Sequence, residues 1–527
     1  MARKKTQQAP KPQSKSTAKP KAKPLAQADA VSMQDKYPQG MKWHLTFSHD
    51  NVVKMFDDSV AKYADKPCID FYGKKLTYKE VGDLADRAAK GLQKQGILPG
   101  DKIGLCMPNS PYYPIMMFAA LKTGATVVHY NPTYDDEKLE KLAHDSDTKT
   151  IVMLDLKNAG TDEYHAKIKS LLDKGVFKNA VVCPMGKMMP TGLSWGYWLT
   201  KQKWMASSGK NMVGFNKLIK NNGKIRPVSI KANDLAMLQY TGGTTGLPKG
   251  AMLTQFNLVS NACQIEQFFA KSPQKPDCEI LLEPGKECVL GAMPFFHVFG
   301  LQIGMITPIK IGAEIAIVPN PRDLGDVLKT VERTKATLFP AVPRLFQGLI
   351  EFKDIDKYDI SSLKIAVSGG AALPSNVQKS FESFSGCRIL QGYGLSETSP
   401  VATAEPAYGM NTKGSIGIPM SGTEIRIVDM NDPEKIMPVG ERGEICIKGP
   451  QVMRGYFLKG HFNDATETAK VMTKDGAFRT GDLGVMDENM ITTITGRLKR
   501  LIIINGFNVY PDQIEEQIVK HPSVAEC

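Results

Sequence analysis

The chain has 527 residues, of which 42% are apolar and 23% are charged, and its formal net charge is +13. At about 100–200 residues per domain, this length predicts two to four domains. The composition is that of a globular protein and excludes a fibrous, collagen-like or wholly disordered chain.

Much of the positive charge is concentrated at the N-terminus. Residues 1–30 contain eight basic residues, one acidic residue and four prolines. Such a segment has too few large apolar side chains to bury a core, so residues 1–40 are predicted to be a disordered basic tail. A nucleic-acid-binding arm is the less favoured interpretation, because no aromatic residues are interleaved with the basic ones and no recognised module is present.

The cysteines and the apolar runs indicate the cellular compartment of the protein. Nine cysteines are scattered along the chain without a Cys-x-x-Cys pair, which argues against a disulfide framework and a structural zinc site. No apolar segment follows the early lysines, as a secretory signal would require. Cys288–Ile309 contains no Asp, Glu, Lys or Arg, but it includes Pro294, Gln302 and Pro308. A buried strand, a turn and a buried helix are therefore expected there, not a membrane-spanning helix. We expect a cytoplasmic location and leave peripheral contact with the inner membrane face open.

Short apolar runs alternate with amphipathic stretches between about residues 100 and 400, the pattern of a parallel sheet covered by helices on both faces. The predicted strands are Lys102–Met107, Thr126–Tyr130, Thr150–Leu154, Ala180–Cys183, Glu314–Val318, Thr337–Ala341 and Lys364–Val367. The predicted helices between them include Tyr112–Lys122, Asp323–Lys335 and Ser375–Phe384.

The pattern changes after Gly414. Thr423–Asp429 and Gly443–Lys448 alternate apolar and polar residues, and Phe478–Gly496 is similar. These segments predict antiparallel hairpins.

A further unit is expected to begin near Arg497. It has a strand over Leu501–Ile504 and a turn at Asn505-Gly506 that leads into Ile514–Val519. Since domains usually contain about 100–150 residues, this unit is interpreted as an incomplete domain or as the end of a fragment.

Residues 184–222 have an unusual composition. They contain three of the four tryptophans, Trp195, Trp198 and Trp204, together with several lysines. Aromatic and basic residues together suit a membrane interface. A long surface segment whose aromatic side chains pack on the body of the protein explains the composition equally well.

The strongest indication of function is Tyr240–Gly250, which reads Tyr-Thr-Gly-Gly-Thr-Thr-Gly-Leu-Pro-Lys-Gly. It follows a predicted strand over Leu235–Leu238 and precedes a helix that Thr254 is expected to cap. Glycines let backbone N–H groups approach a polyphosphate, the threonines add hydroxyl donors, and Lys249 adds a positive charge. The segment is not a Walker A loop, because Lys249 is followed by Gly where that loop has Ser or Thr.

With this segment, the chain resembles the adenylate-forming superfamily, which includes acyl-CoA synthetases, firefly luciferase and the adenylation domains of peptide synthetases. Further segments are similar to family motifs in the same order, over about residues 45–527. These segments are Leu76–Val81, Ala120–Ala125, Met293–Gly300, Ser368–Ala372, Gln391–Glu397, Tyr456, Arg479–Asp482, Gly496–Lys499 and Gly506–Pro511. Asn320–Arg322 and the unbroken Gly506–Pro511 segment are most similar to long-chain fatty acid–CoA ligases.

The resemblance implies an α/β fold. A large N-terminal domain of α/β sheets with a small antiparallel β subdomain is expected over residues 41–496, followed by an incomplete α+β C-terminal lid over residues 497–527. In the family, a lysine near the end of the lid reaches the α-phosphate and the acyl carboxylate. Because this chain ends before that part of the lid, we expect purified 1–527 to adenylate far more slowly than a full-length relative.

The resemblance also implies an acid–thiol ligase whose substrates are a fatty acid, ATP and coenzyme A. A carboxylate is a poor acyl donor. Its attack on the α-phosphorus of ATP forms an acyl-adenylate and releases pyrophosphate, after which the thiol displaces AMP. The first step brings anions together, so it needs Mg²⁺, a lysine and oriented N–H donors.

The family motifs imply the residues that bind ATP and its metal. Lys249 and Glu397 are implied as catalytic residues, and Glu397 and Thr245 as ligands of Mg²⁺. The implied nucleotide-binding residues are Thr241, Gly242, Gly243, Thr244, Thr245, Gly246, Lys249, Gly370, Ala371, Gly392, Tyr393, Gly394, Ser396, Asp482 and Arg497.

Three of the implied roles, those of His297, Lys499 and Asp482, also have a plainer alternative. His297 is implied as a wall or gate of the acyl tunnel, although its apolar neighbours alone indicate a core histidine. Lys499 is implied as the pivot of lid rotation, although it also fits a basic surface run. Asp482 is expected to accept hydrogen bonds from both ribose hydroxyls, reinforced by Arg497, whereas an isolated Gly-Asp pair is usually a turn.

Other functions are kept as alternatives. One is a ligase for aryl or short-chain acids, and another is a non-catalytic nucleotide- or acyl-binding remnant. A basic nucleic-acid-binding protein would need salt-dependent DNA binding that survives deletion of residues 1–30. The oligomeric state is left open, a homodimer included.

Overall fold

The computed structural model describes residues 33–156, 164–201, 211–241, 248–409, 412, 414–457, 465–500, 502–504, 507–509, 511–518, 521 and 524. The glycine-rich residues 242–247 and the basic residues 1–32 lie outside this part of the chain, as does the predicted turn at Asn505-Gly506.

Strands run through the whole described length. In chain order they are β1 Pro67–Phe71, β2 Lys74–Thr77, β3 Lys102–Cys106, β4 Thr126–Tyr130, β5 Thr150–Leu154, β6 Asn179–Cys183, β7 Met212–Gly214, β8 Leu235–Tyr240, β9 Gly250–Thr254, β10 Cys288–Gly291, β11 Glu314–Ile317, β12 Leu338–Ala341, β13 Ile365–Ser368, β14 Arg388–Gly394, β15 Val401–Ala404, β16 Ile418–Pro419, β17 Glu424–Val428, β18 Gly443–Lys448, β19 Tyr456–Phe457, β20 Phe478–Met486, β21 Thr492–Arg497, β22 Ile502–Ile504 and β23 Phe507–Val509.

Helices separate most of these strands. They are α1 Val52–Lys62, α2 Tyr78–Lys94, α3 Tyr112–Lys122, α4 Asp136–Ser146, α5 Tyr164–Asp173, α6 Thr191–Lys201, α7 Phe215–Leu218, α8 Gln255–Phe269, α9 Val298–Leu301, α10 Thr307–Ile311, α11 Leu324–Thr334, α12 Pro343–Ile350, α13 Ser375–Ser385, α14 Ala465–Ala469 and α15 Pro511–Ile518. A π-helical turn, Gln302–Ile306, joins α9 to α10.

Two large mixed sheets form the body of the molecule. The first has the order β19-β9-β8-β4-β3-β5-β6-β7, and the second has the order β16-β15-β14-β13-β12-β10-β11-β1-β2. Their central strands are parallel, as the continuous apolar runs predicted. Antiparallel pairs lie toward three of the four edges, for example β9 beside β8 and β15 beside β14. At the fourth edge, β7 is parallel to β6.

The smaller sheets are antiparallel. Strands β17, β18, β20 and β21 form one sheet, which confirms the hairpins predicted after Gly414. Strands β22 and β23 pair with each other, with Ile502 opposite Val509. The sequence analysis predicted the first of these two strands but not the second.

The core is largest around α3, every residue of which is buried. Its apolar side chains pack with residues of both large sheets in one cluster. Lys122, at the end of this helix, is buried and pairs with Asp86 and with Asp57, whose Oδ1 lies 2.6 Å from the ammonium nitrogen. A buried lysine needs such partners to remain charged.

The uncharged segment Cys288–Ile309 has the predicted form. It contains the buried strand β10, a turn, and the buried helical residues of α9, the π-helical turn and the start of α10. Nowhere in the described ranges is there a helix with both the length and the apolar character that crossing a bilayer requires.

The structure differs from the sequence prediction at residues 33–40. Met33 and Tyr37 are buried, and the Tyr37 ring packs edge-on against Trp43 at a centroid distance of 5.4 Å. The prediction of a disordered tail up to residue 40 is therefore wrong for these residues. These residues contain few large apolar side chains, so the sequence pattern did not indicate that they are buried. Their packing partners come from a distant part of the chain.

In the tryptophan-rich segment, aromatic side chains take different positions. Tyr197 packs on the main apolar cluster. Trp195 is 66% exposed and Leu199 is 68% exposed on the same helix, α6. The placement of Trp204 lies outside the described residues. One of the two alternatives was that the aromatic side chains of this segment pack on the body of the protein. Trp195 does not do so.

Candidate active site

The glycine-threonine segment connects two antiparallel strands. Tyr240 at the end of β8 is opposite Gly250 at the start of β9. The N–H of Thr241 donates a hydrogen bond to the carbonyl oxygen of Lys249 at 3.0 Å, which closes the base of the connection. Thr241 and Lys249 are therefore held side by side. Gly242, Gly243, Thr244, Thr245 and Gly246 lie outside the described residues.

The ammonium group of Lys249 contacts two side chains that lie more than 200 residues later in the sequence. Its Nζ lies 2.5 Å from Oε2 of Glu467 in α14 and 5.1 Å from the centre of the Tyr456 ring in β19. Strand β19 pairs with β9, with Phe457 opposite Gly250, and this register brings the two segments together. The side chain of Lys249 is 39% exposed, so it remains accessible to a ligand.

Glu397 lies on the other side of Tyr456. It is in the helical turn Ser396–Thr398 that follows β14, and it is buried. The Tyr456 hydroxyl donates a hydrogen bond to Glu397 Oε1 at 2.6 Å. Burial raises the pKa of the Glu397 carboxyl group, while this hydrogen bond and the charge of Lys249 lower it.

The chemistry of this group fits a magnesium ion bound together with phosphate. The described part of the chain contains no group of three or more His, Cys, Asp or Glu side chains able to hold a metal. The Glu397 carboxylate and the oxygen atoms of a bound phosphate are hard oxygen ligands of the kind that Mg²⁺ prefers.

A second acidic residue, Asp482, is held by three partners. It is 3% exposed. The Tyr393 hydroxyl donates to Oδ2 at 2.7 Å, and Arg497 Nε donates to Oδ1 at 2.7 Å. Arg497 reaches it because the two residues are opposite each other on β20 and β21. The Thr480 hydroxyl also accepts a hydrogen bond from the Asp482 N–H at 3.0 Å.

The part of β20 before Asp482, where the pairing with β18 is irregular, is fixed by a further ion pair. Arg479 Nη2 lies 2.7 Å from Glu444 Oε2. The other oxygen of Glu444 accepts the N–H of Gly481, which has a φ of +73° that favours glycine. Asp482 is thus held in an irregular part of a strand that pairs on both sides.

An apolar cavity of about 180 Å³ lies between the second large sheet and α8. Its walls combine apolar side chains with the predicted nucleotide-binding turns. It is lined by Phe269, His297, Val298, Phe299, Ile303, Val367, Gly369, Gly370, Gly392, Tyr393, Gly394, Leu395, Ser396, Pro400, Val401 and Ala404. The cavity therefore joins the predicted acyl wall to the predicted nucleotide contacts.

The structure groups most of the predicted residues that it describes. Lys249 and Glu397 meet at Tyr456, and Arg497 and Tyr393 meet at Asp482. His297, Gly370, Gly392, Gly394 and Ser396 line the cavity that Tyr393 also borders. Ala371 is exposed next to Gly370.

Lys499 does not join these groups. It is exposed in the turn Leu498–Arg500, and within the described ranges it makes no hydrogen bond or ion pair.

Sequence reasoning missed Glu467, and it listed Tyr456 only as a position similar to a family motif. The structure adds that Tyr456 contacts Glu397. Glu467 follows Thr466 in a short helix and has the pattern of an ordinary surface acid. No local signal distinguishes it, because its partner Lys249 is 218 residues away in the sequence.

A model of the family described as "AMP-binding enzyme" matches residues 56–457, about three quarters of the chain. The protein is an AMP-binding enzyme. The matched residues include the segment that ends at Lys249, the Glu397 turn and Tyr456.

The curated relatives of this AMP-binding enzyme include two bacterial proteins. A "Long-chain-fatty-acid--CoA ligase" of Bacillus subtilis (strain 168) is 36% identical over 500 residues, which cover 93% of this chain and 84% of that protein. A protein of the same name from Escherichia coli O6:H1 is 34% identical over 490 residues, covering 91% and 82%.

Solved structures share the fold. ATP-bound MatB from Rhodopseudomonas palustris has a TM-score of 0.73 at 25% identity, covering 90% of this chain and 84% of that one. The anthranilate CoA ligase AuaEII in complex with anthranoyl-AMP has a TM-score of 0.77 at 22% identity, covering 92% and 84%. The two large mixed sheets and the small antiparallel sheet thus match the architecture of known adenylate-forming enzymes.

Proposed function

We propose that the protein is an ATP-dependent acid–thiol ligase that activates a long-chain fatty acid as its acyl-adenylate and transfers the acyl group to coenzyme A. The observation that carries this proposal is the meeting of Lys249 and Glu397 at Tyr456. This arrangement supports a site in which Lys249 binds phosphate and the buried Glu397 carboxylate binds Mg²⁺. The names of the curated relatives support the fatty acid and coenzyme A as substrates.

In the first step, adenylation, Lys249, Glu397 and Asp482 have different roles. An oxygen of the fatty acid carboxylate attacks the α-phosphorus of ATP, and the bond to the pyrophosphate oxygen breaks. Lys249 neutralises charge on the phosphates that leave, and Glu397 holds the magnesium ion, which supplies further charge neutralisation when bound. Asp482, held by Arg497, accepts hydrogen bonds from the ribose hydroxyls and keeps the nucleotide in place.

In the second step the thiol of coenzyme A loses its proton to solvent and its sulfur attacks the acyl carbon. AMP leaves with the electron pair of the broken acyl–oxygen bond. The apolar cavity behind His297 holds the acyl chain through both steps. Excluding water from that cavity protects the acyl-adenylate from hydrolysis.

The test is substrate-dependent ATP–pyrophosphate exchange over a panel of long straight-chain, short-chain and aryl acids. We expect exchange to be fastest with the long straight-chain acids and to be lost in Lys249→Met and Glu397→Gln. Fastest exchange with an aryl or short-chain acid would contradict the proposed substrate class. ATP binding without exchange for any acid, even after the complete lid domain of a relative is added in trans, would indicate a non-catalytic protein.

We also propose that residues from Arg497 onward belong to a lid that turns about Lys499. Its support is the exposed turn Leu498–Arg500 between β21 and β22, where Lys499 lacks partners among the described residues. Proline fixes φ, so Lys499→Pro should slow thioester formation more than adenylation. Equal slowing of both half-reactions would argue against a pivot at this residue.

A further inference from the structure

The chemistry described above assigns no role to the ion pair between Lys249 and Glu467. Lys249 is the cation proposed to bind the phosphates, yet its ammonium group lies 2.5 Å from a carboxylate oxygen of Glu467. Two anions that approach the same ammonium group repel each other. The pair therefore affects any phosphate that Lys249 binds.

Glu467 is held in this position by the elements around it. The Thr468 hydroxyl accepts a hydrogen bond from the N–H of Tyr456 at 3.0 Å, which ties α14 to β19. Lys470 pairs with the second oxygen of Glu467. The two lysines lower the pKa of the Glu467 carboxyl group to about 2, so it is ionised at any pH at which the protein would be assayed.

The same ion pair sits beside the proposed magnesium ligand. Tyr456 contacts Lys249 through its ring and Glu397 through its hydroxyl. A change in charge at Glu467 therefore alters the electrostatic potential at the proposed phosphate site. Both side chains of the pair are partly exposed, so a ligand can compete for Lys249.

We propose that Glu467 is a positioning residue that competes with the β- and γ-phosphates of ATP for Lys249. It thereby weakens the binding of nucleoside triphosphate and of pyrophosphate and leaves the binding of AMP unchanged. This inference rests on the proposed role of Lys249 in the function given above. As a consequence, the pyrophosphate formed in the first step dissociates readily, because Glu467 pairs again with the ammonium group of Lys249.

The experiment compares Glu467→Gln with the unaltered chain by calorimetric titration with MgATP, magnesium pyrophosphate and AMP. Glutamine keeps the size of the side chain and removes its charge. Because a partly exposed ion pair of this kind is screened by water, we expect the affinity for ATP and pyrophosphate to rise about threefold to fivefold. The affinity for AMP should not change. In exchange assays the KM for ATP should fall while kcat changes little.

Two controls make the result specific. Glu137→Gln removes the charge of another helical glutamate that pairs with a lysine, here Lys141 at 2.6 Å, and should leave all three affinities unchanged. In a Lys249→Met background, Glu467→Gln should no longer alter the affinity for ATP, because the competition is for that lysine.

Several results would overturn the inference. An unchanged ATP affinity in Glu467→Gln would show that the pair does not compete with phosphate, and a weakened one would show that Glu467 helps to hold the nucleotide. An equal change for AMP would indicate a general structural effect. If Lys249→Met alone left ATP affinity intact, the proposed function of Lys249 would fail first, and this inference with it.

Discussion

Glu405 illustrates how the interior changes the chemistry of a single residue. It is 2% exposed, and one of its oxygens accepts the N–H of Gln391 at 2.8 Å. Burial raises the pKa of its carboxyl group to about 7. Because Gln391 begins the segment that leads to Glu397, this carboxyl group supports the strand that carries the site.

Glu405 should make the stability of the protein depend on pH. Its unfolded pKa is about 4.3, so between about pH 4.5 and 7 the unfolded chain has lost a proton that the folded chain keeps. The free energy of unfolding therefore falls as the pH rises through this window. Glu405→Gln removes this loss, so it should be more stable than the unaltered chain at pH 8, by at most about 4 kcal/mol, and the difference should be much smaller at pH 5.

Urea unfolding of both proteins at pH 5 and pH 8 measures this difference. Glu351→Gln, at an exposed site, should follow the pH dependence of the unaltered chain. A stability difference between Glu405→Gln and the unaltered chain that is the same at both pH values would contradict the prediction.

The raised pKa of Glu397 makes a separate prediction about magnesium. A carboxylate binds a cation in its ionised form, and burial keeps the Glu397 proton bound to a higher pH than that of an ordinary glutamate. The Mg²⁺ concentration that gives half-maximal ATP binding should therefore increase as the pH is lowered from 8 to 5. Glu397→Gln should need more Mg²⁺ at every pH and should lose this dependence; a dependence that survives in the variant would assign it to another group.

At the scale of elements, the start of α8 connects local sequence to the site. The Thr254 hydroxyl accepts the N–H of Asn257 at 3.1 Å, and the Asn257 side-chain oxygen accepts the Thr254 N–H at 2.9 Å. The Asn257 amide also donates to the carbonyl oxygens of Pro450 and Val452 at 2.7 and 2.9 Å. The helix cap thus holds the segment that leads to Tyr456.

Thr254→Ala should remove one bond of this cap and lower the free energy of unfolding by about 1–2 kcal/mol. Thr254→Ser keeps the hydroxyl group and should lose much less. The midpoint of urea unfolding measures both variants. Equal losses for alanine and serine would indicate that the methyl group of Thr254, which is buried, contributes more than the cap.

The same region marks the limit of prediction for an element. The cap at Thr254 and the strand β8 follow from local patterns, and both are confirmed. Strand β9 was not predicted, because Gly250–Thr254 has no alternation and its pairing depends on β8 and the distant β19. Gly394 was predicted as a nucleotide contact, but a Cβ there would also lie 1.7 Å from the carbonyl oxygen of Pro400. Its close packing against β15 is a requirement that the motif does not reveal.

At the scale of the whole molecule, the acyl cavity depends on helices and strands from distant parts of the chain. Its 180 Å³ exceeds the roughly 150 Å³ that holds a benzene molecule. Phe269, Ile303 and Val367 also border a second, apolar void next to Leu338. That void measures only about 10 Å³, so an acyl chain could extend into it only if one of these side chains were made smaller.

Phe269→Ala should join the two spaces and shift specificity toward longer acids. We expect the ratio of kcat/KM for hexadecanoate over octanoate to increase, with a loss of about 3–5 kcal/mol in stability because a buried ring is removed. The matched control is Phe268→Ala, which removes a buried ring packed against Tyr37. It should cost similar stability without changing the ratio; a similar increase in both variants would contradict a specific role for Phe269.

Local sequence patterns predicted the parallel strands, the antiparallel hairpins, the cap of α8 and the segments that place the chain among AMP-binding enzymes. These features depend on neighbouring residues, so a local pattern specifies them. The side chains that meet in the site could be read only from the folded chain: Lys249 with Glu467, Tyr456 with Glu397, and Tyr393 with Asp482. Such contacts join residues far apart in the sequence, because their geometry is set by how the strands pair and the sheets pack.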